Sequence, residues 1–391
     1  MKKKYFFFLF LFSIYTGLRA QIKLSASAEV SIVTAGPGEE LYEAFGHSAI
    51  RIKDPVLNFD IIYNYGMFDF NQPNFYSNFA KGNMIYSLAR YDFKYFLASY
   101  KRDKRWLKQQ VLNLTQLEKQ AYFIFLEKNA LSENKNYKYD PYFDNCATIL
   151  RDVTKSILNH KIVFNNTSKK TFSLRQLTNN EIHWNSWGHF GLNLITGTRL
   201  DRKASFEENM FLPDYVFDSF KEASILIENR QKKLVLREDV LLNFVEKEPT
   251  VSLLNPFLIT SILALLGIFI TYNDFKKKKR TKILDFILFF ITGLMGCILI
   301  FLWFFSSHST APNNFNILWT IATNSIISFF MLKKHPPKWL LKYLRVLMLF
   351  LLIIAILWCT GVQGFPIPIL PILILLFIRY LFLSQLLTSV K

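Results

Sequence analysis

Residues 255–282 read NPFLITSILALLGIFITYNDFKKKKRTK. The apolar run at 256–273 is long enough, as a helix, to cross a hydrocarbon layer roughly 30 Å thick. The block Lys276 to Arg280 follows it directly, and basic loops beside a span are retained in the cytoplasm. Four more apolar segments follow, at 283–305, 315–332, 343–361 and 365–386, giving about five expected spans. The loop between the third and fourth holds Lys333, Lys334, Lys338, Lys342 and Arg345, whereas Ser306 to Asn314 and the turn around Gly361 to Gly364 hold no Lys or Arg. Basic and uncharged loops alternate, so residue 250 and all that precedes it are expected on the outer side.

The N-terminus asks for the same side independently. MKKK precedes an apolar run from Tyr5 to Tyr15, then Thr16-Gly-Leu-Arg-Ala20-Gln21, the pattern of a secretory signal with cleavage expected after Ala20. The expected organisation is therefore a signal peptide at 1–20, an exported soluble domain at 21–250 and a membrane domain at 251–391. The formal charge of +18 divides accordingly. Residues 21–250 carry only +3, while 251–391 carry +11 beside the spans. A basic excess confined to juxtamembrane loops excludes a nucleic-acid partner, which needs a phosphate-binding face on the folded domain.

The exported part mixes strand and helix patterns, an α+β class with a sheet packed against helices. Val30 to Ala35, Ser48 to Ile52, Phe59 to Tyr65 and Met84 to Tyr91 read as strands. Thr115-Gln-Leu-Glu118 is a capping box opening a helix to about Leu131. Asp144-Asn145 precedes a second amphipathic helix with Ala147, Leu150, Val153, Ile157 and Leu158 on one face. Residues 215–247 read as further helix and a charged approach to the membrane.

Cys146 is the only exported cysteine, since Cys297 and Cys359 lie in apolar spans. It stands in the first turn of the second helix, where unpaired N–H groups and the helix dipole favour a thiolate and can hold an oxyanion. A thiol nucleophile needs an imidazole, and His47 in Ala44-Phe-Gly-His47-Ser-Ala-Ile-Arg51 is the candidate, preceded by a glycine that permits close approach. His160, His183 and His189 are the other histidines of the exported part. A third residue should orient the imidazole. A hairpin turning near Asp54-Pro55 sets Asn64 roughly opposite His47, with Asp60 and Asp69 as neighbouring alternatives.

Gly46-His47-Ser-Ala-Ile-Arg51, Ile62-Tyr-Asn-Tyr-Gly66-Met-Phe-Asp69-Phe70 and Asp144-Asn-Cys146-Ala-Thr148 together resemble the N-terminal periplasmic domain of the Lnb family. The likeness continues through Thr196-Gly-Thr-Arg199-Leu-Asp201 and Phe211-Leu-Pro-Asp214-Tyr215 into the multi-span region. The resemblance implies a lipoprotein N-acyltransferase of the bacterial inner membrane. Such an enzyme moves an acyl chain from a phospholipid to the N-terminal cysteine amine of a diacylated lipoprotein, with Cys146 and His47 matching the family's Cys and His. The His-before-Cys order further resembles permuted NlpC-like, papain-like thiol enzymes. Acyl transfer through a thioester requires no metal, nucleotide or other cofactor. The rival class is a membrane-bound thiol hydrolase, either a phospholipase or an NlpC-like amidase.

Other features carry plainer expectations. Lys101-Arg-Asp-Lys-Arg105 reads as a solvated helix face. Asn316, Trp319 and Asn324 read as helix–helix hydrogen-bonding residues of the third span. His308 lies in an outer loop within reach of headgroups. The aromatic stretches 68–79 and 184–190 are expected as core and membrane-surface packing, with some of their residues shielding a site that must exclude water.

Overall fold

The computed structural model describes residues 22–165, 171–228, 230–247 and 251–389, so the expected signal peptide lies outside the described residues. Ten strands follow in the chain: β1 (Glu29–Ala35), β2 (His47–Asp54), β3 (Phe59–Met67), β4 (Ile85–Asp92), β5 (Leu107–Leu112), β6 (Asn136–Lys138), β7 (Ile162–Val163), β8 (Ser224–Ile227), β9 (Arg230–Lys233) and β10 (Val235–Leu242). Seven of them form one antiparallel sheet in the order β10-β5-β1-β2-β3-β4-β6, and β7-β8-β9 form a small second one.

The helices of this part are α1 (Phe75–Ala80), α2 (Phe93–Arg102), α3 (Gln116–Asn129), α4 (Cys146–Leu158), α5 (Leu174–Glu181), α6 (Trp187–Ile195), α7 (Phe206–Asn209) and α8 (Pro213–Glu222). Tyr122, Phe123 and Leu126 of α3, Leu150 and Val153 of α4, and Val216 and Phe220 of α8 pack on Val30, Ile32, Ile50, Ile52 and Tyr63. On the opposite face, Phe93, Phe96 and Tyr100 of α2 cover Val33, Ala35, Ala49 and Ile62. Because both faces are covered, β1 is buried from Val30 to Ala35 and β2 from Ser48 to Ile52. Each fully buried Ile or Val there contributes roughly 1.5–3 kcal/mol.

The capping box at Thr115 and Glu118 is formed as read, and Asn145, not Asp144, caps α4. Residues 215–247 differ from the expected helix and membrane approach. Only the stretch to Glu222 is helical, and β8, β9 and β10 follow. β10 carries Arg237, Glu238 and Asp239 at the sheet edge, so charge hides its strand character while discouraging edge-to-edge pairing. The basic run 101–105 also differs, because Arg105 is buried. Its Nε donates to Gly36 O at 2.8 Å, NH1 pairs with Glu43 at 3.2 Å, and its guanidinium lies 4.8 Å from the Tyr100 ring centre.

The remaining chain holds α9 (Pro256–Lys277), α10 (Lys282–Phe304), α11 (Asn324–Met331), α12 (Leu340–Cys359) and α13 (Leu370–Ser389). Among the described residues, four helices are long and apolar enough to cross a membrane. The segment expected to span at 315–332 is broken into a 3-10 turn, Phe315–Leu318, and the eight-residue α11. Its fully buried Asn316, Thr320 and Asn324 explain the break. Asn316 Nδ2 bonds the carbonyl of Leu194 at 3.1 Å, and Asn324 Nδ2 reaches Thr292 at 3.0 Å, so the polar groups exposed by the break are paired. At the basic end of the bundle, buried Arg379 pairs with Asp285 at 2.7 Å and Asp274 at 2.8 Å.

The two parts are stitched together. Ser307 N donates to Lys81 O at 2.7 Å, Gly197 N to Thr310 O at 2.8 Å, and Asn314 Nδ2 to Leu194 O at 2.8 Å. His308, expected near headgroups, lies 2.9 Å through Nε2 from Phe79 O. Trp184 meets Phe257 edge to face at 6.0 Å, and Trp187 Nε1 donates to Leu254 O at 2.9 Å, pinning the 184–190 stretch to the first turn of α9.

Candidate active site

His47 opens β2, pairing with Ala35 of β1. The preceding Gly46 has φ +73°, and a Cβ there would stand 2.8 Å from Ala35 O, so only glycine turns the chain tightly enough into the strand. Pairing of Ile50 with Tyr63 and Arg51 with Ile62 puts Asn64 on the same face as His47, two residues before Gly66. Between Asn64 and Met67 the β3–β4 register shifts, and Gly66 takes φ +92° within that irregularity. A Cβ built on Gly66 would lie 3.7 Å from Cys146 Cβ and 3.8 Å from His47 Cε1. The three sequence-predicted residues are thus brought around one bare stretch of backbone.

His47 Nε2 and Asn64 Oδ1 are 2.6 Å apart. Asn64, almost wholly buried, is itself held by its other end. Its Nδ2 donates to Tyr91 Oη at 3.0 Å, which fixes the carbonyl oxygen toward the imidazole. With Nε2 taken, Nδ1 is the ring nitrogen available to the thiol. His47 and the Ser48 N–H lie against the Cys146 sulfur, and the Ala147 N–H, which donates to Asn145 Oδ1, is also close to it. Burial opposes a charge on Cys146, but the His47 charge, its hydrogen bond and those two N–H groups prevail and hold the thiol below its ordinary value. Burial likewise opposes the imidazolium, yet the Cys146 thiolate and Asn64 hold His47 above its ordinary value against the field of Arg105. Both shifts move in the direction of a thiolate paired with an imidazolium. Both side chains remain only half-buried, so a ligand has access.

The Asn145 carboxamide oxygen accepts from the N–H groups of both Ala147 and Thr148 at 2.9 Å. The first-turn donors expected for an oxyanion are therefore largely committed, and Cys146's own N–H is the one left. Asp60 and Asp69 stand apart from the site. Asp60 pairs with Arg51, its Oδ1 accepting from Nε at 2.7 Å, and Asp69 accepts from Asn71 N in an exposed turn. His183 Nδ1 accepts from Asn185 N, and His189 is pushed down to about 4 by burial and then by Arg175 and His183. Neither has a contact with Cys146.

Two matches account for much of the chain. Residues 18–180 match the Lnb N-terminal periplasmic domain, and residues 247–390 match the Lnb transmembrane domain. The chain belongs to the Lnb family. It is a membrane protein with a periplasmic N-terminal domain of sheet and helices, followed by a helical transmembrane domain. No curated protein and no solved structure matches it. The region between the two Lnb matches holds Thr196 to Asp201 and Phe211 to Tyr215. From within the first match, buried Arg175 forks onto Asp201 at 2.8 and 3.0 Å and bonds Asn193, Thr196 and Gly197, while Asp201 also accepts Gly364 N at 2.8 Å. That motif joins the Lnb periplasmic domain to the turn before α13.

Sequence reasoning missed Tyr91, Ser48 and Arg105. Tyr91 ended an expected strand and Ser48 opened one, but their roles depend on cross-strand geometry. Arg105 was concealed in a basic run.

Proposed function

We propose that this Lnb-family chain is a lipoprotein N-acyltransferase working through an acyl thioester on Cys146. Family membership is consistent with a membrane enzyme that processes lipoproteins. The observation that carries the finer reading is the Cys146–His47–Asn64 arrangement, with backbone N–H groups close to the sulfur, on a domain bonded to the outer loops of a membrane bundle. The order His47, Asn64, Cys146 is that of a permuted, papain-like (NlpC-like) thiol domain. The reading includes a cleaved signal at 1–20, the catalytic domain at 21–250, and a multi-pass region at 251–391 in the inner membrane.

The steps balance. The Cys146 thiolate adds to a phospholipid ester carbonyl, with the developing oxyanion facing the Cys146 N–H. The C–O bond breaks, and the His47 imidazolium gives its proton to the departing glycerol oxygen, releasing a lysophospholipid. The amine of a diacylated lipoprotein's N-terminal cysteine then attacks the thioester carbonyl, His47 accepts the amine proton, and the C–S bond breaks to restore the thiolate. Asn64 keeps the imidazole aligned throughout. No cofactor enters either half-reaction.

The test uses the full chain in phospholipid nanodiscs with a diacylated lipopeptide. Mass spectrometry is expected to show an acyl adduct on Cys146 that disappears as N-acylated peptide forms. Free fatty acid without amide product would make the protein a thiol hydrolase. No adduct and no product would remove the thiol mechanism altogether.

A further inference from the structure

A cavity of about 310 Å³ lies between the segment leading into Cys146 and the first outer loop of the membrane bundle. Lys138, Asp140 and Asp144 line it from the periplasmic domain, and His308 and Ser309 from the outer loop. Its outer-loop wall begins three residues beyond the end of α10. Ser307 N bonds Lys81 O, and Ser309 Oγ donates to Asp140 Oδ2. Asp144 stands two residues before the nucleophile. Asp140 is satisfied by the N–H groups of Tyr142 and Phe143 as well as Ser309. The Asp144 carboxylate has no hydrogen bond or ion pair among the described residues.

A glycerophospholipid restricts where its headgroup can be. The ester carbonyls and the phosphate hang from the same three-carbon glycerol unit, so a thiolate in line with an ester has the headgroup only a few bonds away. The headgroup must also remain at the membrane surface. The cavity wall includes Asp144, close in the chain to Cys146, and the first outer loop of the membrane bundle, and its charged lining suits a polar group, not an acyl chain. We propose that it takes the headgroup of the acyl donor and selects a zwitterion with a primary ammonium, as in phosphoethanolamine, with Asp144 receiving the ammonium and Lys138 the phosphate. This rests on the phospholipid-donor reading above. A glycerol headgroup presents no cation to Asp144, and choline presents a cation with no N–H to donate. Partial burial, then Asp152 and Asp140, hold the Asp144 carboxyl above its usual range, so a cation there is favoured.

The experiment reads binding separately from chemistry. Full-length Cys146→Ala protein, in nanodiscs containing equal phosphatidylethanolamine, phosphatidylcholine and phosphatidylglycerol, is released into the gas phase and its retained lipids are counted by native mass spectrometry. Retention of the ethanolamine lipid about tenfold over the other two is expected, the size of one charge-assisted hydrogen bond. Asp144→Asn added to this protein is expected to bring the three lipids within about twofold. Lys138→Ala should weaken all three while leaving their order unchanged. Equal retention with Asp144 intact, or a preference untouched by Asp144→Asn, overturns the assignment, and the lipid comparison on intact Asp144 decides even if the variant fails to fold. If the ethanolamine preference is found but no lipid ever acylates Cys146 in the wild-type chain, the acyltransferase reading falls and the headgroup site remains.

Discussion

His47 Nε2 and Asn64 Oδ1 stand 2.6 Å apart across β2 and β3, and the amide that supplies the oxygen is tethered at its other end by Tyr91. The imidazole is therefore oriented by a group that carries no charge. Burial lowers its proton affinity, and among the groups that raise it the Cys146 sulfur it faces counts most.

Replacing Asn64 by Ala frees the ring to rotate without removing nucleophile or base. Formation of the Cys146 acyl adduct should slow roughly 10²-fold, within the range of a general acid–base contribution. Tyr91→Phe removes only the tether and should cost less, about tenfold. Quenched-time mass spectrometry of the adduct measures both, and an unaltered rate in Asn64→Ala would remove it as the orienting residue.

The pH dependence follows from the two shifts. Cys146 lies below its ordinary value and His47 above its own, so both shifts favour the ion pair. As pH falls the thiolate survives where a free thiol is already protonated. As pH rises the imidazolium survives past about 6.5. The pH profile for alkylation of Cys146 by iodoacetamide should therefore lie to the acid side of that of a free cysteine. His47→Ala should return the profile to the free-thiol position.

Gly66→Ala tests the bare backbone between the two catalytic candidates. The added methyl meets Cys146 and His47 at ordinary contact distance, but φ +92° disfavours any side chain. The expected loss of stability is about 1–3 kcal/mol. Adduct formation should fall further than stability explains, because the methyl occupies the approach to the sulfur. Thermal unfolding and adduct rate, measured on the same preparation, separate the two effects.

Arg175→Leu removes the hub that holds Asp201 and, through it, Gly364. Breaking one partner out of a buried pair costs about 3–5 kcal/mol. The variant should unfold at lower temperature in detergent and expose the turn before α13 to protease. Arg175→Lys should restore little, since one ammonium cannot reproduce the fork.

The sheet's centre and the juxtaposition of His47, Asn64 and Cys146 were legible in the sequence. Val30 to Ala35 and Phe59 to Tyr65 are apolar enough to declare themselves, and the lone exported thiol behind a capping residue marks a helix start wherever it occurs. Asn64 was reachable because a hairpin fixes register once its turn is found. The edge strand β10 was not legible, since Arg237, Glu238 and Asp239 are chosen for solvent and its strand character comes from pairing with β5. The break before α11 was masked for a different reason. Hydropathy averages over Asn316, Thr320 and Asn324, whose polar groups are satisfied by partners far away in the chain. Arg105 failed similarly, because a basic run looks the same whether one member is buried or none is.

The hydrogen bonds from Ser307, Thr310 and Asn314 to the periplasmic domain have a kinetic consequence. They tie the domain that carries Cys146 to the outer loops of the bundle. On the proposed acyltransferase reading, the donor would then reach the thiol by lateral diffusion, and turnover would scale with its surface density in the leaflet instead of with bulk concentration.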